Sequence, residues 1–104
     1  MKRVQVPSPV EVKMVGSTME FKEFCLQAME SSQSYGKGLA NVRKYIRTCE
    51  VLEKGANAEG FVFFEDEDFH CLHDAVKTTA FRPSVGRSLL PFYEAMEKAE
   101  EVKA

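Results

Sequence analysis

GFVFFEDED, residues 60–68, is an apolar run that turns abruptly acidic, and this stretch determines how the rest of the chain is arranged. Strand side chains alternate, so Phe61 and Phe63 face one way while Val62 and Phe64 face the other, and both faces of the predicted strand are apolar. A strand of this kind needs cover on both faces. The chain's own helices can cover one face, and a second copy or another protein can cover the other. The sequence leaves open which face is buried.

The composition is that of one globular domain. The chain has 104 residues, of which 44% are hydrophobic and 29% charged, which is enough for one core and too few for two. The sequence contains no run of about 18 apolar residues and no basic-then-apolar signal pattern, so a cytoplasmic location without a membrane partner is expected. Cys25, Cys49 and Cys71 are an odd number without a close pair, which fits a reducing compartment.

Charge is distributed in two blocks of opposite sign. The net charge is −2, which argues against the whole molecule being a footprint for nucleic acid. Residues 37–54 are rich in lysine and arginine, whereas residues 59–74 contain acidic residues and no Lys or Arg. Such blocks attract each other within one chain or between two chains, and the sequence leaves both arrangements open.

The N-terminal residues predict two strands. Residues 3–6 and 10–15 alternate as strands do. The tripeptide PSP at residues 7–9 belongs at an edge or a crossing, because proline donates no ladder hydrogen bond. Residues 1–7 are therefore a candidate extended arm that reaches another subunit.

The next segment predicts a helix. Ser17 and Glu20 have the spacing of a capping box, and the apolar residues that follow repeat with a helical period, which predicts a helix over residues 18–32. The alternative is that residues 18–21 first form a hairpin with residues 10–15 and that the helix starts later.

A second helix is predicted over residues 39–54 and a third after the strand at residues 60–65. The inward face of the second helix is predicted to consist of Leu39, Val42, Ile46, Cys49 and either Leu52 or Glu53, with Gly55 as the stop. Asp66 or Asp68 is expected to cap the third helix, where acids suit the helix dipole.

The C-terminal part predicts a loop and a last helix. Residues 81–87 are expected to form a loop because Arg82 precedes a proline and Gly86 disfavours helix. Ser88 is the expected cap of the last helix, with Pro91 in its first turn, and residues 100–104 are expected to fray. The order β-β-α-α-β-α-α predicts an α+β fold with a small antiparallel sheet of about three strands and about four helices packed on it.

His70, His73 and Asp74 form the cluster that most resembles a chemical site. On a helix these side chains share a face, so two imidazoles and a carboxylate can meet an ion such as zinc. No second cluster of Cys or His supplies further ligands, so surface or capping histidines are the favoured interpretation and no cofactor is predicted. Cys25 lies on an apolar helical stripe without a catalytic histidine, which indicates a small buried hydrophobe. No catalytic residue is predicted, and we expect the protein not to be an enzyme.

Basic residues on the second helix provide an alternative function. Arg43, Lys44 and Arg47 lie on one side of that helix, with Lys37 near its start. A basic helix can follow a nucleic-acid backbone, so the alternative is a nucleic-acid-binding regulator. Neither a helix-turn-helix nor a base-stacking motif accompanies these residues, and the alternative therefore ranks below protein binding.

Four short pieces resemble small uncharacterised proteins encoded by bacteriophages: PSPV at residues 7–10, FKEF at 21–24, YGK at 35–37 and LLPF at 89–92. The resemblance implies a non-enzymatic accessory, assembly or host-directed protein, located in the host cytoplasm, that works by contact with another macromolecule. It carries over no catalytic residue.

The favoured prediction is a protein-interaction module that forms a homo-oligomer and binds another protein. An unpaired strand edge is a template for such contacts. The predicted contact residues are Phe61, Val62, Phe63, Phe64, Val4 and Val6. If this prediction holds, Phe64→Glu yields a folded monomer, whereas an unfolded product assigns Phe64 to the core.

Overall fold

The computed structural model describes residues 1–12, 16–32, 34–79 and 83–102. Within these residues the chain forms five strands and five α-helices, which confirms the α+β class. The strands are β1 (Lys2–Gln5), β2 (Val10–Val12), β3 (Ser17–Met19), β4 (Phe61–Phe64) and β5 (Glu100–Glu101). The helices are α1 (Phe21–Ser31), α2 (Leu39–Lys54), α3 (Asp66–Thr78), α4 (Pro83–Ser88) and α5 (Leu90–Glu97), with a 3-10 turn at Ser34–Gly36 before α2.

The larger sheet has the strand order β4-β1-β5, so β1 is its central strand. Both neighbours are antiparallel to β1, and the register places Val4 opposite Val62. Residues 2–5 pair with β4, and Lys2 and Arg3 pair with β5 as well, so this segment is part of the sheet within its own subunit and is not a free arm. The prediction that residues 100–104 fray is wrong for Glu100 and Glu101, which form β5 and pair with β1. The next residue is also bonded: the Val102 N–H donates a hydrogen bond to the Met1 carbonyl at 2.8 Å. Residues 103 and 104 lie outside the described residues.

The start of α1 follows the alternative rather than the capping box. Ser17–Met19 pairs antiparallel with Val10–Val12, and α1 begins only at Phe21. Glu20 occupies the N-cap position without a side-chain capping bond. The hairpin prevails because ladder hydrogen bonds use the backbone groups of residues 17–19, which cannot then adopt helical dihedral angles. The remainder of the predicted second strand, residues 13–15, lies outside the described residues.

The predicted C-terminal loop is helical where it is described. Pro83–Ser88 forms the short helix α4, with proline at its first position, where the missing N–H removes no helical hydrogen bond. Leu89 rather than Ser88 is the N-cap of α5, and Pro91 lies in the first turn as predicted. Residues 81 and 82 lie outside the described residues.

The helix α3 begins where the acidic run begins. Its N-cap is Glu65, without a side-chain capping bond, so neither Asp66 nor Asp68 is the cap. Both aspartates lie in the first turn, where the helix dipole favours negative charge.

The core lies on one face of the sheet. Val4, Val62 and Phe64 are buried on that face, and the Phe64 ring lies 6.5 Å from the ring of Phe69 in α3. Phe24 of α1 and Phe92 of α5 are fully buried beside them, with ring centres 5.2 Å apart.

The opposite face of the sheet is only half covered. Phe61 and Phe63 are half-buried there. The Arg3 guanidinium lies 4.7 Å from the centre of the Phe61 ring, a cation–π contact that supplies part of the cover from within the subunit.

Candidate interaction surface

Helix α2 has the predicted bounds, but only part of its predicted inward face is covered: Leu52 is buried and Cys49 is half-buried against the core. Leu39, Val42 and Ile46, expected to point inward, are 65%, 38% and 49% exposed. Their spacing of three and four residues aligns them on one face of the helix. The buried residues of α2 are Thr48 and Leu52, which lie roughly a third of a turn from that line. We call Leu39, Val42 and Ile46 the α2 stripe.

Contacts with distant parts of the chain set this orientation. The Tyr45 hydroxyl donates a hydrogen bond to the Glu30 carboxylate of α1, and the Tyr45 ring packs edge-on against Tyr35 with centres 5.8 Å apart. The buried Thr48 hydroxyl donates to the Lys44 carbonyl at 2.8 Å, so its polar atom is satisfied inside the helix. The side of α2 that carries Tyr45 and Thr48 therefore faces the core, and the α2 stripe is turned outward.

A bidentate ion pair joins α2 to α3. The Arg47 Nε and Nη2 atoms donate to the two carboxylate oxygens of Asp68 at 3.0 and 2.7 Å. Asp68 is buried, and the hydrogen bonds that its carboxylate accepts, together with its negative charge, raise the pKa of Arg47. The basic and acidic blocks of the sequence thus meet within one subunit at this point. A buried carboxylate needs such a partner, and this need helps to hold α2 in its rotation.

Charged residues border the α2 stripe. Arg43 and Glu50 are exposed, and each directly follows a position on the stripe's line, Val42 and Cys49 respectively. In the described part of the chain neither side chain has an ion-pair partner. Arg43 therefore lies beside the stripe, Glu50 lies about one turn beyond its last residue, Ile46, and the exposed Glu53 continues the same line of the helix.

The residues predicted as the interaction surface divide into two groups. Val4, Val62 and Phe64 are core residues, which removes them from any contact in the folded subunit and corrects the expectation of a folded Phe64→Glu monomer. Phe61, Phe63 and Val6 are half-buried.

The outer edge of β4 is less open than the sequence predicts. The Asn57 side chain accepts the Phe61 N–H at 3.0 Å, and the Asn57 N–H donates to the Phe61 carbonyl at 2.9 Å. The backbone N–H and C=O groups of alternate residues point to the same edge of a strand, so those of Phe61 and Phe63 both point to the outer edge of β4. Asn57 pairs with the groups of Phe61, and the residue of β4 that still presents unpaired backbone groups there is Phe63. One residue is a poor template for an added strand.

The basic residues proposed for nucleic acid do not form one free cluster. Lys37 and Arg43 are exposed, and Lys44 is half-buried. The Arg47 guanidinium already forms an ion pair with Asp68. The charge that this helix can offer to a phosphate backbone is correspondingly reduced.

The residues of the predicted histidine cluster lie in different surroundings, and Cys25 lies in the core. The His73 Nε2 lies 2.9 Å from Glu97 Oε1 of α5, while His70 and Asp74 are exposed. In the ranges that the structure describes, no three His, Cys, Asp or Glu side chains are grouped to hold a metal ion. Cys25 is buried as predicted, and burial raises the pKa of its thiol far above the ordinary range, which keeps it uncharged and unreactive.

Comparisons of the chain with protein-family models, with curated proteins and with solved structures each find no match. Over the residues described, no helix combines the length and the apolar composition needed to cross a bilayer.

Proposed function

We propose that this protein is a non-enzymatic protein-interaction module and that it binds through the α2 stripe rather than through the edge of β4. One observation carries the proposal: Leu39, Val42 and Ile46 stand exposed in a line on a long helix whose other side is anchored in the core. Isolated exposed apolar residues are ordinary, but an aligned set is the pattern by which one helix packs into the groove of another. The resemblance to bacteriophage proteins supports the same class of function and stays a prediction.

The expected strength of binding follows from the exposed area. Full burial of one aliphatic side chain contributes roughly 1.5–3 kcal/mol, so the three partly exposed residues contribute on the order of 2–4 kcal/mol together. A micromolar complex requires about 8 kcal/mol. The charged residues beside the stripe must therefore contribute to any stable contact, and single substitutions in the stripe should have large effects.

Photo-crosslinking tests the proposal. The photoreactive amino acid benzoylphenylalanine replaces Ile46 in one version of the full chain and the exposed Lys22 of α1 in a control version. Purified protein is irradiated alone and in cell extract. We expect a discrete crosslinked protein product from position 46, whether with a second copy or with another chain, and none from position 22.

Two substitutions show whether the product depends on the stripe. Leu39→Lys should abolish the crosslink from position 46. Leu90→Lys, on α5, should preserve it, since Leu90 is 52% exposed and lies outside the stripe. The proposal is overturned if position 46 yields no product in either setting, or if Leu39→Lys leaves the product unchanged.

A further inference from the structure

The edge of β1 that faces β5 is paired over only half of its length. Just beyond β1, the Val6 N–H donates to the Gly60 carbonyl at 2.9 Å, on the side of β4. Backbone groups of alternate residues point to the same edge, so those of Arg3 and Gln5 point away from β4. Arg3 pairs there with Glu100, whereas no residue of β5 lies opposite Gln5. In the described ranges neither the N–H nor the carbonyl of Gln5 has a hydrogen-bond partner.

The end of α5 explains why the pairing stops. A ladder that continued by two residues beyond the Arg3–Glu100 pair would need Lys98 opposite Gln5. Lys98 is instead the C-cap of α5, and its N–H donates to the Glu94 carbonyl at 3.0 Å. The chain's own residues therefore leave the second half of this edge open.

A cavity of about 480 Å³ adjoins the open edge. Its walls are one side of α5, from Pro91 to Lys98, and the chain from Gln5 to Ser8. The helical wall rises about 10 Å, and the chain segment spans at most about 10 Å. The volume is in the range of ligand sites, and the length fits about three residues of an extended peptide.

We propose that this cavity binds the C-terminal end of a peptide, which pairs with Gln5 as a short antiparallel strand in line with β5. One oxygen of the peptide's terminal carboxylate accepts the Gln5 N–H, and the other meets the Lys98 ammonium. The site is separate from the α2 stripe, because no residue of α2 lines the cavity.

The direction of the peptide follows from the sheet. Both neighbours of β1 are antiparallel to it, and antiparallel pairing is slightly more stable per residue than parallel pairing. An antiparallel peptide runs from Ser8 towards Gln5. It therefore reaches the end of the cavity that β5 closes with its own C-terminus, where a chain must either stop or turn away.

The charges at the closed end suit a carboxylate. Lys98 is exposed, and among the described residues it has no ion-pair partner. Glu100 also lines the cavity, but the Arg3 Nε donates to its carboxylate at 3.0 Å, and this pair is neutral. Glu94 lies one helical turn before Lys98, beside the middle of the peptide rather than its end.

The expected affinity is low. A single open residue is a weak template for an added strand, and this holds for Gln5 as it does for Phe63. At Gln5 the wall of α5 and the Lys98 ammonium add to the backbone pairing. An exposed ion pair contributes little in water, so we expect a dissociation constant in the millimolar range for a tripeptide.

Amide exchange measured by NMR on the isotope-labelled full chain tests the open edge. An unpaired amide exchanges without an opening event, so Gln5 should exchange at least about tenfold faster than Val6, which is bonded to Gly60. The probe is an equimolar mixture of acetylated tripeptides Thr-X-Thr with free carboxylates, where X is any residue except proline. At about ten times the dissociation constant, exchange at Gln5 should slow about tenfold, and exchange at Val6 should not change.

Two variants of Gln5 test the backbone pairing. Gln5→Pro removes the N–H that the peptide needs and leaves the β1–β4 ladder intact, because that N–H takes no part in it. It should abolish binding, followed through the amide signals of Ala95 and Lys98, whereas Gln5→Ala should bind like the wild type. Circular dichroism shows whether both variants are folded. If Gln5→Pro does not fold, the probe N-methylated at its last threonine takes its place, because it lacks the donor to the Gln5 carbonyl.

A second pair of changes tests the carboxylate. Tripeptides capped as C-terminal amides should bind the wild type roughly two- to fivefold more weakly than the free acids. Lys98→Ala should weaken binding of the free acids by the same factor and leave binding of the amides unchanged. Lys77→Ala, at an exposed lysine of α3, is the control and should affect neither.

Three results overturn the site. The first is a Gln5 amide that exchanges as slowly as that of Val6 in the protein without peptide. The second is exchange at Gln5 that millimolar peptide does not slow, or binding that survives both Gln5→Pro and N-methylation. The third is equal binding of acids and amides together with no effect of Lys98→Ala, which rules out recognition of a C-terminus.

Discussion

At the scale of single residues, neighbouring side chains of one strand have opposite roles. Phe64 is 1% exposed and packs against Phe69, whereas Phe63 is half-buried on the other face of the sheet. The alternation of a strand produces this difference between adjacent residues of the same type. Substituting Phe63 and Phe64 one at a time therefore tests which face of β4 belongs to the core.

Phe64→Ala should lower the free energy of unfolding by about 3–5 kcal/mol, because it removes a fully buried aromatic side chain and leaves a cavity. Phe63→Ala should lower it by clearly less, since part of that side chain is already in water. Urea unfolding followed by circular dichroism measures both. Equal losses for the two variants would contradict the assignment of faces, as would a folded Phe64→Glu protein.

At the scale of elements, α2 is delimited by glycines at both ends. Gly38 at its N-cap has φ 81° and ψ 155°, and Gly55 at its C-cap has φ 80° and ψ −177°. Residues other than glycine rarely adopt these backbone angles. The two glycines therefore determine where the helix that carries the α2 stripe begins and ends.

Gly38→Ala and Gly55→Ala should each destabilise the protein by about 1–3 kcal/mol through backbone strain. Beyond the adjacent residues, an added Cβ meets no atom within 4 Å at either position, so a clash with the surrounding structure contributes nothing. Gly36→Ala is the control, because Gly36 has the same open surroundings and no positive φ. Thermal unfolding of the three variants tests this, and an equal loss for Gly36→Ala would refute the role of the positive φ.

At the scale of the whole molecule, β1 joins the two ends of the chain. It pairs with β4 on one side and with β5, nearly a hundred residues away, on the other. Arg3 donates a hydrogen bond from Nε to Glu100 at 3.0 Å, and Lys2 forms an ion pair with Glu101. Both carboxylates are exposed, so these pairs add little beyond the ladder itself.

Removing residues 100–104 should therefore destabilise the sheet by about 1–2 kcal/mol, since each ladder hydrogen bond contributes roughly 0.5–1.5 kcal/mol net. The double variant Glu100→Ala with Glu101→Ala keeps the backbone pairing and should stay close to the wild type. Chemical unfolding of both proteins distinguishes the contributions. A double variant as unstable as the truncated chain would assign the stabilisation to charge instead.

Much of the fold is determined by local sequence. The alternation of residues 61–64 specifies an apolar strand, and helical periodicity with Gly55 as the stop specifies both ends of α2. These features depend on backbone dihedral angles and on neighbouring side chains, which the sequence displays directly. The capping-box spacing at Ser17 is as local a signal, yet pairing with β2 overrides it.

The rotation of α2, in contrast, is set by tertiary contacts alone. The helix carries two adjacent apolar sides: the α2 stripe, and a second side with Tyr45 and Leu52. Periodicity alone places the α2 stripe on the inward face together with Cys49 and either Leu52 or Glu53; this prediction is wrong for the stripe, whereas Leu52 is buried. Long-range contacts choose between them, above all the Arg47–Asp68 pair and the bond from Tyr45 to Glu30. Because a buried carboxylate must keep its partner, α2 turns Arg47 towards Asp68, and that rotation leaves the α2 stripe exposed.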